Sequence, residues 1–274
     1  MVKMDIIQKL ESKAKQHRKE IIQMVYDAQS GHPGGSLSAI DIITALYGYK
    51  LKFNPKKPDW PDRDRFVYSK GHACPALYAV LADHGYFSKG EFKKFRKLGG
   101  MLQGHADRKW TPGVEFSAGS LGQGLGFAIG IALAGRLDKK NYKVYCMIGD
   151  GECEEGAVWE GAMAAAQFKL KNLIAIMDSN KVQQTGKVKD IMNLEPIEAK
   201  WKAFGWRTIA INGHNMKDIV SALDSAVKDD GRPSIIIANT IKGKGVSFME
   251  LNEKFHGKAP NDEEYKKAMG ELNA

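Results

Sequence analysis

The spacing of apolar residues changes along the chain, from helical spacing in the first half to short continuous runs in the second. In residues 5–29, apolar side chains such as Ile21 and Val25 recur three or four positions apart, which predicts an amphipathic helix. Residues 36–51 show the same spacing, and Ser36 is placed to cap the N-terminus of a second helix. The first half of the chain is therefore predicted to be rich in helix.

Short runs of β-branched and other apolar residues follow, and they predict strands. These runs cover 142–148, 172–178, 207–211 and 233–240. Helical spacing returns between them, in 156–169, 195–204 and 215–228. Strands that alternate with helices favour a parallel sheet that is covered on both faces. We therefore expect an α/β fold with a parallel sheet and helices on both of its faces.

Length and composition are those of one ordinary globular domain. The chain has 274 residues, of which 43% are hydrophobic and 27% are charged. A single core grows to about 250–300 residues before chains divide into domains. One domain over 1–274 is therefore expected, with a C-terminal tail from about residue 250.

No feature of the sequence predicts secretion or a membrane span. The N-terminal segment is charged throughout and lacks the apolar centre of a secretory signal. The longest weakly polar run, 124–135, is shorter than the roughly 20 residues that cross a bilayer. Cys74, Cys146 and Cys153 show no C-x-x-C spacing, which argues against a zinc ribbon or a disulfide framework. We expect a cytoplasmic protein with reduced cysteines and no membrane partner.

The net charge of +9 is compatible with nucleic acid, an anionic substrate or an acidic partner. The lysines are spread along the chain, and no nucleic-acid-binding motif accompanies them. A nucleic-acid partner is therefore not expected. Lys242 and Lys244, in "IKGKGVSF", are placed to attract an anionic substrate.

The segment "GDGECEEG" places several acids directly after a predicted strand. Asp150 stands in this segment, and Asn180 follows the next strand 30 residues later. Because parallel strands end at the same edge of a sheet, Asp150 and Asn180 can meet there. Their hard oxygen atoms suit Mg²⁺ or Ca²⁺, and magnesium commonly completes its shell with phosphate oxygens. The alternative is a simple Gly-Asp-Gly turn with a capping acid.

Several motifs, in order and spacing, resemble the transketolase family of thiamine-diphosphate enzymes. They are "SGHPGGSLSAIDI" (30–42), "DRFVYSKGHACPALYAVL" (64–81), "AGSLGQGLGFAIG" (118–130), Gly149-Asp150-Gly151 with Asn180, and "HGKAP" (256–260). The similarity covers nearly the whole chain but only the first half of a usual transketolase. It implies a thiamine-diphosphate-binding fold.

The resemblance also implies a cofactor site. The Mg²⁺ ligands would be Asp150, Asn180 and the carbonyl of Val182, with Ca²⁺ or Mn²⁺ as possible substitutes. The remaining cofactor contacts would be His72 and Gly151 at the diphosphate, with Asn180 beside them, and Gly119, Ser120 and Leu121 at the aminopyrimidine.

The catalytic residues implied by the resemblance are histidines and one acid. His32, His105 and His256 would line the substrate channel, bind the ketose hydroxyls and move protons, while Glu155 would join an acidic network between paired active sites. Six of the seven histidines adjoin a glycine, which also fits simple turns. His84 and His214 are interpreted as turn residues, and His17 as a solvated side chain on a charged helix face.

The implied reaction moves a two-carbon ketol unit from a ketose or ketose phosphate to an aldose or aldose phosphate. The glutamate that activates thiamine belongs to the second half of the family's chain, so activity is expected only with a pyrimidine-binding partner chain, two copies of each. Ser120 stands where most members have proline, and His256 stands where most have two histidines, which leaves the donor sugar open.

Two alternatives remain open at this point. One is half of a thiamine enzyme like deoxyxylulose-phosphate synthase, which shares the fold. The other is a noncatalytic remnant that serves as a scaffold or regulator.

Overall fold

A parallel sheet forms the centre of the molecule. The computed structural model describes residues 4–228 and 230–274, and within them the strands form one five-stranded sheet in the order β1-β2-β3-β5-β4, with every neighbouring pair parallel. The strands are β1 Arg65–Tyr68, β2 Val144–Gly149, β3 Leu173–Ser179, β4 Arg207–Asn212 and β5 Ser234–Asn239.

The described residues form α-helices on both sides of these strands in the chain. These helices are α1 Met4–Ala28, α2 Pro33–Ala45, α3 Cys74–Asp83, α4 Gln123–Leu137, α5 Gly156–Gln167, α6 Val188–Ile191, α7 Ile197–Ala203, α8 Met216–Ala226 and α9 Asp262–Asn273. The five helices predicted from apolar spacing are α1, α2, α5, α7 and α8. A π-helical turn, Leu46–Lys50, continues α2. Short 3₁₀ turns cover Gly71–Ala73, Lys89–Lys94, Gly151–Glu154 and Glu253–His256.

Two cores lie on opposite faces of the sheet. Tyr145 and Met147 of β2 pack with α1, α2, α3 and α8. Their neighbours Cys146 and Ile148 point the other way, into a core with α4, α5 and α7. This alternation follows from the two-residue period of a strand. The predicted α/β fold, with helices on both faces of a parallel sheet, is confirmed.

The register of the strands brings their carboxyl ends together. Gly149 of β2 pairs with Asp178 of β3, and Ser179 of β3 pairs with Asn239 of β5. The loops that begin at 150, 180 and 240 therefore leave the sheet at one edge. Ligands of open α/β sheets bind at this edge.

The second helix begins at Pro33, earlier than the predicted cap at Ser36 implies. Its N-cap is His32 and not Ser36, because Pro33 at the first helical position already fits the helix. Ser36 lies inside the helix, where its hydroxyl donates to the carbonyl of His32 at 2.7 Å. The four predicted strands are confirmed to within two residues at each end, whereas β1 was not predicted.

His17 is buried, so its interpretation as a solvated side chain is wrong. Its ring is 1% exposed, and Nδ1 lies 3.0 Å from the hydroxyl of Thr44. Burial lowers the pKa of His17 to about 4, more than the nearby Asp83 raises it. The ring is therefore neutral at neutral pH and serves the packing of α1 on α2.

The segment after residue 250 returns to the first helix. Tyr265 of α9 stacks on Tyr26 of α1 with ring centroids 4.0 Å apart, and Ala268 and Leu272 are buried. The division into one domain with a tail stays a prediction.

Across residues 4–228 and 230–274, we find no helix whose length and apolar character would let it cross a bilayer. The cytoplasmic location also stays a prediction.

Two glycines of α4 provide a matched test of the packing. A Cβ at Gly124 would overlap the Ser69 side chain and lie 3.1 Å from its Cα, whereas one at Gly130 would meet no described atom within 4 Å. Gly124→Ala is expected to destabilise the chain by about 1–3 kcal/mol through overpacking. Gly130→Ala is expected to stabilise it by about 0.5–1 kcal/mol. Urea unfolding of both variants measures the difference, and equal effects would contradict this account of α4.

Candidate functional site

A cleft opens at the carboxyl edge of β2 and β3, with a cavity of about 360 Å³. Every residue predicted for the site lines this cleft except Ser120, which is exposed beside it. The lining members of that set are His32, His72, His105, Gly119, Leu121, Asp150, Gly151, Glu155, Asn180, Val182 and His256. The structure thus brings together residues that lie more than two hundred positions apart in the chain.

Asp150 is a buried carboxylate at the end of β2. It is 5% exposed, and its oxygens accept hydrogen bonds from the backbone N–H of Gly151 at 2.9 Å and of Lys181 at 2.6 Å. Burial, followed by the charge of Asp178, raises the pKa of Asp150 to about 6. Within the described residues no lysine or arginine forms an ion pair with this carboxylate. Its negative charge is therefore only partly compensated.

The other predicted metal ligands lie in the loop after β3. The side-chain oxygen of Asn180 accepts from the N–H of Val182 at 3.2 Å. The carbonyl of Val182 accepts from the ammonium of Lys242 at 2.8 Å. Across the described part of the chain there is no group of three or more His, Cys, Asp or Glu side chains that could hold a metal. The donor set offered is thus one carboxylate, one amide and one carbonyl.

This donor set fits magnesium. Mg²⁺ usually takes one or two carboxylates from a protein and completes its octahedron with water and phosphate oxygens. A divalent cation beside Asp150 would also stabilise the charged carboxylate and so offset the effect of burial, which raises its pKa. The residues present therefore suit a divalent cation that is bound together with a diphosphate.

Asp178, which the sequence interpretation missed, connects the elements around the cleft. Its side chain is fully buried and forms an ion pair with Lys70, which follows β1. It also accepts hydrogen bonds from Ser38 of α2, at 2.6 Å, and from Thr240 after β5. Burial alone would raise the pKa of Asp178, but the charge of Lys70 and the hydrogen bonds from Lys70, Ser38 and Thr240 together outweigh burial and lower it. The carboxylate therefore stays charged in the interior.

Glu152 is the second residue that was missed. It is 3% exposed and accepts from the N–H groups of Gly149 and Gly122, both at 3.0 Å, and from the Ser69 hydroxyl. Glu152 thereby joins three loops of the cleft. It holds the turn at Gly122, whose φ of +79° favours glycine. That turn leads from Gly119 and Leu121 into α4.

Four histidines form a cluster on one side of the cleft. The ring of His32 lies 5.3 Å from His72, 5.8 Å from His105 and 5.4 Å from His256, measured between centroids. Burial lowers the pKa of His32 to about 4 and that of His256 to about 3, and it also lowers the pKa values of His72 and His105. All four rings are therefore neutral at neutral pH.

Lys242 lies among these groups, as its predicted attraction for an anion requires. It is 2% exposed, and its ammonium donates to the carbonyls of Val182 and Gln183 and to Nδ1 of His256. Burial, followed by the charge of Lys70, lowers the pKa of Lys242 to about 8. Lys244 instead pairs with Glu250 at 3.2 Å. Neither lysine is among the residues that line the cleft itself.

The open side of the cleft carries the remaining predicted residues. Glu155 is exposed at the N-cap of α5, and Leu121 is 39% exposed. His84 and His214, interpreted as turn residues, both lie outside the cleft. His84 packs against the rings of Tyr47 and Phe53.

Known proteins resemble this chain over almost its full length. The family model described as "Transketolase, thiamine diphosphate binding domain" matches residues 10–273. A 6-deoxy-6-sulfo-D-fructose transketolase subunit of Clostridium sp. (strain MSTE9) is 45% identical over 96% of either chain. An apulose-4-phosphate transketolase subunit of Phocaeicola vulgatus is 40% identical over 97% of this chain and 95% of its own.

The solved structures agree in fold. The crystal structure of transketolase from Campylobacter jejuni superposes with a TM-score of 0.91 at 37% identity and covers 99% of this chain. This chain spans only 43% of that protein. The resemblance read from the sequence motifs is thereby confirmed, and the chain belongs to the transketolase family, whose thiamine-diphosphate-binding domain it matches.

Proposed function

We propose that this chain binds the diphosphate of thiamine diphosphate together with magnesium. With a second chain, it would transfer a two-carbon ketol unit from a ketose or ketose phosphate to an aldose or aldose phosphate. The observation that carries the proposal is the cleft itself. Its lining combines a partly compensated carboxylate, Asp150, with a cluster of neutral histidines. Membership of the transketolase family supports the same reaction.

Asp150, Asn180 and the Val182 carbonyl would hold Mg²⁺, for which Ca²⁺ or Mn²⁺ could substitute. The N–H of Gly151 and the ring of His72 would hold the diphosphate, and the backbone from Gly119 to Leu121 would face the aminopyrimidine. Lys242 would move from the Val182 carbonyl, which it contacts at 2.8 Å, toward the anionic ligand. The bound cofactor supplies the electron sink for cleavage of the bond beside the ketone.

His32, His105 and His256 would bind the sugar and move its protons. A neutral imidazole presents one donor and one acceptor, so it can hold a hydroxyl and exchange a proton with it. The lowered pKa values of His32 and His256 keep this form at physiological pH. Ser120 and the single His256 are the positions at which the donor preference would differ from other family members.

The partner would be a pyrimidine-binding chain that resembles the rest of transketolase, with two copies of each chain in a heterotetramer. Two of the similar proteins are themselves named as subunits, and this chain spans only 43% of a full-length transketolase. The α4 and α5 helices expose a face suited to such contact, with Gly126 and Gly130 on α4 and Met163 on α5. Glu155, exposed beside this face, would join the acidic network between paired sites.

The metal assignment has a direct test in cofactor binding. Asp150→Ala is expected to abolish magnesium-dependent binding of thiamine diphosphate, a larger loss than the roughly 10–100-fold caused by removing an outer partner of a metal site. Titration calorimetry measures this on the wild type, on the variant and on Asp190→Ala, an exposed control that should bind normally. Unchanged affinity in Asp150→Ala would overturn the assignment.

The histidines are expected to separate into two roles. His32→Ala and His256→Ala should lower sugar turnover by about 10²–10⁴-fold with little effect on cofactor affinity, because they act as proton donors and acceptors toward the sugar. His72→Ala should instead weaken the cofactor. Steady-state kinetics of the assembled enzyme, with calorimetry of the cofactor, distinguish the two. Loss of the cofactor in His32→Ala with normal turnover at saturation would reverse the assignment.

The requirement for a second chain is tested by reconstitution. The purified chain with magnesium and thiamine diphosphate should show no ketol transfer, since the activating glutamate would come from the partner. Addition of a chain of about 300 residues, a common domain size, that resembles the rest of transketolase should restore the reaction. Full activity of the lone chain in a ketol-transfer assay would refute the two-chain proposal.

A further inference from the structure

A buried charged group lies behind the cleft, on the far side of the segment that carries Lys242. Asp41 of α2 receives both terminal nitrogens of Arg18 of α1, at 2.9 and 2.6 Å, and Nδ1 of His214 at 2.7 Å. All three side chains are nearly buried, with exposed fractions of 8%, 10% and 11% for Asp41, Arg18 and His214. We name Arg18, Asp41 and His214 the Asp41 clamp.

Both outer members of the clamp continue to the same backbone segment. Nε2 of His214 accepts the N–H of Ile241 at 2.8 Å, and Nε of Arg18 donates to the carbonyl of Lys244 at 3.2 Å. These two backbone groups flank Lys242. One carboxylate thus holds the segment 241–244 from both ends.

The hydrogen bonds also define the form of the His214 ring. Since Nε2 accepts from a backbone N–H, it carries no proton, and the proton on Nδ1 is donated to Asp41. Burial alone would raise the pKa of Asp41, but Arg18 and His214 outweigh it and hold the carboxyl charged. The orientation of the ring is therefore fixed by a charged acceptor on one side and a backbone donor on the other.

Further contacts leave the segment little freedom. The N–H of Gly243 donates to the carbonyl of Gly34 at 3.0 Å, and its φ of +80° brings a Cβ position against the backbone of Met249. The Lys242 ammonium then reaches the Val182 carbonyl and His256. A shift of the backbone by about 1 Å would break these contacts, because hydrogen bonds weaken steeply with distance and angle.

We propose that His214 and Asp41 are positioning residues, which hold both ends of 241–244 and so place the Lys242 ammonium against Val182 and His256, two residues that line the cleft. Neither residue touches the cofactor or the sugar. The effect on cofactor binding rests on the function proposed above, whereas the mechanical link from the clamp to 241–244 does not.

His214 is the residue to change, because loss of Asp41 would leave Arg18 buried without its partner. His214→Leu keeps the approximate volume and removes both hydrogen bonds. His214→Gln is the matched control, since its amide places an acceptor and a donor in the same 1,3 relation as the two ring nitrogens. The two variants differ in hydrogen bonding more than in size.

The first measurement is amide hydrogen exchange of 241–244 in the cofactor-free chain. His214→Leu should raise the exchange rate in this segment by about tenfold or more, the size expected for the loss of a hydrogen bond to a charged network. His214→Gln should restore slow exchange. Unchanged exchange in His214→Leu would overturn the clamp, whatever the chain binds.

The second measurement is a double-mutant cycle on the thiamine-diphosphate affinity of the assembled two-chain enzyme, read by calorimetry with magnesium present. Lys242→Met and His214→Leu should each weaken binding by about tenfold, and the double variant should be no weaker than Lys242→Met alone. Additive losses would show that His214 acts through general packing and would overturn the positioning role. If the wild-type chain assembled with its partner binds no thiamine diphosphate, the proposed function is refuted instead, and hydrogen exchange still decides the clamp.

Discussion

The buried ion pair between Lys70 and Asp178 is the interaction on which the architecture of the cleft depends. Asp178 is the penultimate residue of β3, the central strand, and its partners come from the segments after β1 and β5 and from α2. A charge in this position is tolerated only because its partners surround it. Removal of one partner from such a pair costs about 3–5 kcal/mol, since the other charge is left buried and uncompensated. The pair therefore fixes which elements meet at the carboxyl edge of the sheet.

Around this pair the cleft contains two kinds of charged group: those whose partners are all within the protein, and those that are only partly compensated. Glu152 accepts hydrogen bonds from two backbone N–H groups, and Asp178 forms an ion pair with Lys70, so neither carboxylate is available to bind a ligand. Asp150 and Lys242 keep charges that their neighbours match only in part. The neutral histidines add donors and acceptors without adding charge. A ligand that carries both a divalent cation and several phosphate charges complements this arrangement.

The sequence predicts much of the fold, because strands buried on both faces are continuous apolar runs that are easily recognised. β1 was missed, since its four residues are too few to show a period. Likewise, Asp150 was found because it stands in a turn with glycines. Asp178 was not, because its importance comes from Lys70 and Ser38, which lie 108 and 140 positions away and give no local signal. His17 shows the same limit of local sequence patterns. Its charged neighbours along α1 suggest a solvated face, yet its ring is buried against α2.

The bond from Arg18 to the carbonyl of Lys244 spans 226 positions of the chain. Chains emerge from the ribosome with the N-terminus first. Arg18 of α1 can therefore bind both of its acceptors, Asp41 and the carbonyl of Lys244, only after all five strands have been synthesised. Until then the Arg18 guanidinium and the apolar faces of α1 and α2 lack some of their final contacts. Contacts between residues so far apart in the chain also form slowly. Completion of the cleft therefore depends on synthesis of the segment from 241 to 256, because a nascent chain that stops at residue 240 would contain all five strands but neither Lys242 nor His256.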